Sequence, residues 1–111
     1  MAKETGILAG KASSDLKLLK RHVTMLQFVA DHEPIGIIKL AELMDLPQHK
    51  VRYSLRLLEK EGLIKASTSG AKTTRKVDKF LEELKEHLGE MNASVKEVQR
   101  SVDKLRKALE R

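Results

Sequence analysis

Apolar side chains return at helical spacing early in the chain. Leu16, Leu19, Val23, Leu26 and Ala30 fall at i, i+3, i+7, i+10 and i+14, which predicts a helix with one buried face. Ser13 or Ser14 caps its start, Asp15 suits the positive N-terminus, and residues 1–13 read as a flexible tail. The helix should stop near His32-Glu33, because the residue before Pro34 is disfavoured in the α region. A second, short helix follows from Ile37 to Met44, with Ile37, Leu40, Ala41 and Met44 on one side. A third runs from Pro47 to Glu61, with Pro47 in its first turn and Gly62 as a left-handed C-cap. Its core line is Val51, Leu55 and Leu58; the opposite side carries His49, Arg52, Tyr53, Arg56 and Lys60, flanked by Gln48 and Lys50. Residues 63–67 then predict a strand, Thr68-Ser69-Gly70 a turn and residues 71–73 a returning strand, with Thr73 or Thr74 capping the next helix.

From Val77 onward the spacing changes to an unbroken 4-3 repeat. Val77, Leu81, Leu84, Leu88, Met91, Val95, Val98, Val102, Leu105 and Leu109 form a seam in which every position is apolar. A seam of this length predicts a coiled coil, and at 1.5 Å per residue a rod roughly 50 Å long. Folding back on its own domain would leave much of that seam uncovered, so pairing with a second chain is the favoured reading. With Leu81, Leu88, Val95, Val102 and Leu109 as a positions, a parallel pair, in which each g residue meets the following e, brings no opposite charges together. An antiparallel pair sets Asp78 near Arg106 and Phe80 near Ala108, and is favoured.

Composition narrows the function classes. A chain of 111 residues accommodates one small domain with an appendage and no large internal pocket. It has no Cys, which removes disulfides, thiolate metal sites and cysteine nucleophiles. No apolar stretch approaches the ~20 residues of a membrane span, and no secretory signal is expected at the start. The reading is a cytoplasmic, nucleoid-associated protein. Its net charge of +6 is not spread evenly. Residues 1–46 and 77–111 are each neutral, whereas residues 47–76 hold Lys50, Arg52, Arg56, Lys60, Lys65, Lys72, Arg75 and Lys76 against only Glu59 and Glu61. Confinement of the whole excess to the third helix and its hairpin is the footprint expected of a nucleic-acid-binding surface.

Residues 37–74 resemble the winged helix-turn-helix fold of many prokaryotic transcription regulators. Leu40-Ala41-Glu42-Leu43-Met44-Asp45-Leu46 is similar to the supporting helix and turn, and Gln48 through Ile64 to the recognition helix and its run into the wing. Asp45 stands where this family often has Gly, and Pro47 where it usually has Ser or Thr. The wing and the helix after it look like those of the multiple-antibiotic-resistance and arsenical-repressor families, without a His or Cys cluster for metal. The layout also resembles small archaeal chromatin-associated winged-helix dimers. The expected fold class is therefore mainly α with a small β-hairpin wing, divided into a tail (1–13), a winged helix-turn-helix domain (14–74) and a coiled-coil dimerisation helix (75–111).

The resemblance implies that the third helix enters the major groove of double-stranded DNA. Gln48, His49, Arg52 and Tyr53 would reach base edges, Arg52 pairing with guanine and Gln48 with adenine. Lys50, Arg56 and Lys60 are placed for phosphate, Lys65, Ser69 and Lys72 for backbone or minor groove along the wing, and Lys39 for phosphate beside the second helix. The competing explanations are solvated charge, with Arg56 and Lys60 paired to Glu59, and isolated surface roles for His22 and His32. A homodimeric regulator is the leading reading, with a chromatin protein or a winged-helix protein-docking module as alternatives. Nothing supplies a nucleophile–base pair, a phosphate loop or a metal set, so no enzyme, catalytic residue, cofactor, metal or small-molecule ligand is expected.

Overall fold

The computed structural model describes residues 6–110; positions 1–5 of the expected tail lie outside the described residues. The chain order is α1 (Ile7–His32), α2 (Ile37–Met44), α3 (Gln48–Lys60), β1 (Ile64–Ser67), β2 (Gly70–Thr73) and α4 (Lys76–Leu109). This is the mainly helical winged-helix arrangement, with a two-stranded antiparallel hairpin and a long C-terminal helix. It divides into two compact units, Met1–Lys76 and Val77–Arg111.

α1 begins at Ile7 and not at Asp15, so residues 7–13 are helical where a tail was expected. Ala9, Lys11 and Ala12 are strong helix formers, and Lys11 pairs with Asp15 one turn on at 3.6 Å. The buried face also differs from the expected line. Met25, Leu26 and Val29 are in the core, whereas Leu16 is 44% exposed and Ala30 is exposed. Apolar residues surround so much of this helix that one periodic line does not select the packed side.

α2 has the expected bounds. Asp45 ends it in the left-handed region (φ 53°, ψ 49°), and the Asp45 and Leu46 amides bond back to Glu42 and Ala41. Pro47 lies just outside α3, extended at ψ 146°, and its carbonyl accepts the amides of Lys50 and Val51. On α3, Val51 and Leu58 are buried as expected, but Leu55 is only half-buried and Ser54 completes the inner face at 0% exposure. Gly62 closes the helix at φ 77°, its amide on the Glu59 carbonyl and that of Leu63 on Leu58, both at 2.9 Å.

The wing pairs Ile64 with Thr73, Lys65 with Lys72, Ala66 with Ala71 and Ser67 with Gly70. A single residue of the α1–α2 connection, Ile35, joins its far edge through two hydrogen bonds with Ala71, at 2.8 and 3.2 Å. Nearby, the Glu33 carboxylate accepts both the Thr73 amide (2.7 Å) and the Thr73 hydroxyl (2.8 Å). Those bonds, reinforced by the charge of Lys72, hold the Glu33 pKa below its usual value. Thr74 rather than Thr73 caps α4, its hydroxyl oxygen accepting the Lys76 amide. Leu40, Ala41, Ile35, Leu63 and Ile64 complete the core with the buried residues of α1 and α3. Full burial of a side chain such as Leu40 stabilises the fold by ~1.5–3 kcal/mol.

The second unit is the body of α4, and it has no buried residue. Along its seam Leu84 and Met91 are half-buried, whereas Leu81, Leu88, Val95, Val98, Val102, Leu105 and Leu109 are exposed. Most of the apolar stripe is therefore exposed.

Candidate nucleic-acid interface

The inner face of α3 is fixed by Val51, Ser54 and Leu58, so the helix turns the residues opposite them to solvent. Gln48, His49, Lys50, Arg52, Tyr53, Arg56 and Lys60 are all exposed. Among the described residues the only ion pairs are Lys11–Asp15 and Lys79–Glu83, so Arg52, Arg56 and Lys60 are not neutralised by Glu59. A helix face with four uncompensated cations, a Gln, a His and a Tyr can meet a polyanion without first breaking internal pairs.

Between α3 and the wing lies an open groove of about 370 Å³. Ile35, Ile37, Leu55, Ile64, Ala66 and Ala71 supply apolar lining, and Arg52, Arg56 and Glu59 line its α3 side. The structure thus brings Arg52 and Arg56 together on one wall. It does not bring the wing lysines to them. Ile64, Ala66 and Ala71 face the groove, so by strand alternation Lys65 and Lys72 leave the wing from the other face. They stand directly opposite each other across the ladder, a like-charge pair that is unfavourable until an anion joins it. Ser69 is exposed in the turn, its amide held by the Ser67 hydroxyl at 3.3 Å, and Lys39 is exposed on α2.

On the flank of α3 nearest α1 the structure assembles a cluster that sequence reading missed. The fully buried Ser54 hydroxyl accepts the Arg21 Nε–H at 3.1 Å and lies 3.0 Å from His22 Nδ1. The Arg21 guanidinium sits over the Tyr53 ring, 5.9 Å from its centroid, and the His22 ring is tilted against the same tyrosine at 6.2 Å. Burial first, and then the Arg21 charge, push the His22 pKa below its usual value. A neutral His22 leaves Nδ1 free to accept the Ser54 O–H, so Arg21, Ser54 and His22 form one donor chain. His22 is therefore not the isolated surface group that the sequence suggested. The available signal was Ser54 itself, a polar residue three after Val51 and four before Leu58, which needs partners when buried.

Residues 18–88 match the family model of the CggR N-terminal DNA-binding domain. The chain belongs to this DNA-binding transcription-regulator family. The CggR N-terminal domain match takes in most of α1, all of α2, α3 and the wing, and the first part of α4. It includes every α3 and wing residue named above, and Arg21 and His22 as well. No curated protein matches the chain. Among solved structures, the activation domain of the phage T4 transcription factor MotA is similar in fold, with a TM-score of 0.51 and 23% identity over 66% of this chain and 78% of that one. No helix among the described residues is long and apolar enough to cross a membrane, and none of their His, Asp and Glu side chains group as a metal site.

Proposed function

We propose that the protein is a homodimeric, non-enzymatic transcription regulator that places α3 in the DNA major groove. The observation that carries this reading is the coincidence of two features. Residues 47–76, whose charges sum to the chain's whole net +6, lie inside the match to a family of DNA-binding domains, and the α3 cations among them are exposed and without an ion pair among the described residues. Gln48, His49, Arg52 and Tyr53 read base edges, while Lys50, Arg56 and Lys60 hold phosphates. Lys65, Ser69 and Lys72 grip backbone from the outer face of the wing, and Lys39 adds a contact from α2. The protein works inside the cell, on the nucleoid.

The second copy covers the α4 seam, from Leu81 to Leu109. Charge along this helix supports an antiparallel pair. Its first half carries Asp78, Glu82, Glu83, Glu86 and Glu90 against Lys76, Lys79 and Lys85. Its second half carries Lys96, Arg100, Lys104, Arg106 and Lys107 against Glu97 and Asp103. Antiparallel association sets the acidic half of each helix beside the basic half of the other, whereas parallel association sets like beside like.

Titration of fluorescent duplex DNA at several salt concentrations tests the reading. Binding that weakens steeply with salt, and is abolished by Arg52→Ala combined with Arg56→Ala, is the expected result. A binding constant that stays flat from low to physiological salt, or full binding by the double variant, overturns it.

A further inference from the structure

We propose that Arg21 is a preset phosphate-binding residue, delivered from α1 to the edge of the α3 surface and lying outside the helix-turn-helix itself. The proposal rests on the DNA-binding reading above. Arg21 is half-buried, so part of its hydration is already lost, yet no carboxylate among the described residues lies within ion-pair range. A guanidinium in that position gains from an external anion more than a fully hydrated lysine does, because less water must be removed to meet it. Its orientation is also fixed in advance. Nε–H is committed to the buried Ser54 hydroxyl and the planar group lies over Tyr53, which leaves the N–H groups of the two terminal nitrogens for a ligand.

The location selects the ligand. Tyr53 is 49% exposed and borders the outward stripe of His49, Arg56 and Lys60, so a guanidinium over its ring stands beside the surface that would carry DNA. A planar fork of donors fits two phosphate oxygens at once, and Arg21 has the side-chain support to hold that geometry. Lys20, the preceding residue, is exposed and has no such anchor, which makes it a control of equal charge on the same helix.

The test is the salt dependence of binding to a short random-sequence duplex, with a thermal melt followed by circular dichroism for each variant. Arg21→Gln is expected to reduce the slope of log K against log salt by about 0.9 and to weaken binding on all sequences alike. Lys20→Gln is expected to leave that slope unchanged. Arg21→Lys keeps the charge and serves if the glutamine variant does not fold; it should retain the slope and bind several-fold more weakly. A wild-type slope in Arg21→Gln, an equal loss in Lys20→Gln, or wild-type affinity in Arg21→Lys overturns the proposal while the DNA-binding reading stands. Absence of duplex binding by the wild-type protein overturns both.

Discussion

Ser54 on α3 and His22 on α1 stand 3.0 Å apart, oxygen to ring nitrogen, in a protein whose sequence separates them by 32 residues. The bond requires a neutral imidazole if the Ser54 proton is to have an acceptor. Because the folded pKa of His22 is lowered, its stabilisation is complete above the unfolded value near 6.5 and is lost as pH falls through the folded value. NMR titration should place the His22 midpoint below 6.5 in the folded protein. A midpoint at or above that value contradicts the donor chain.

Removing the shared hydroxyl should be costly even though it deletes one atom. Ser54→Ala leaves the Arg21 Nε–H and His22 without their partner, and we expect a loss of ~1–3 kcal/mol in denaturant unfolding. An unchanged midpoint would show that the cluster contributes nothing to the α1–α3 junction.

The wing depends on a glycine. A Cβ at Gly70 would meet the Ile35 backbone at 2.6 Å, and its φ of 132° is one that side chains rarely adopt. Gly70→Ala should therefore destabilise the domain by on the order of 1–3 kcal/mol and lower its melting temperature. An unaltered melt would mean that Ile35 does not pair tightly with the wing.

Acid should loosen the same region through Glu33. Its pKa is held down by the two bonds from Thr73, so that stabilisation is present above the ordinary carboxylate range and disappears as pH falls through the folded value. Comparing melts of wild type and Glu33→Gln across that range checks it. The wild type should lose its advantage over the variant at the acid end, and parallel curves refute the assignment.

Further substitutions separate reading from gripping and pairing from its absence. Arg52→Ala should relax preference at one base position by ~1–3 kcal/mol, whereas Lys60→Ala weakens all sequences equally. Val95→Glu, in the middle of the exposed seam, should convert a dimer to a monomer in sedimentation. Since the chain has no cysteine, Asp78→Cys with Arg106→Cys offers a clean orientation probe, crosslinking between copies only in an antiparallel pair.

Local chemistry made much of the fold legible. Gly62 announced a left-handed helix end, Val51 and Leu58 the core side of α3, and the 4-3 spacing the long final helix. Features set by distant neighbours were not legible. Ile35 forms a one-residue strand, too short to carry a periodic pattern, and the packed face of α1 was chosen by what lay against it. The exposed stripe of α3 could be read from its wheel, but the partners of Ser54 and the outward face taken by Lys65 and Lys72 required the tertiary structure.

The exposed stripe of α4 bears on how the protein responds to its own abundance. A single copy leaves most of those apolar residues exposed, so with a second copy as their cover the gain follows mass action. DNA occupancy would then rise more steeply than in proportion to dose. Dilution would silence the regulator without any effector.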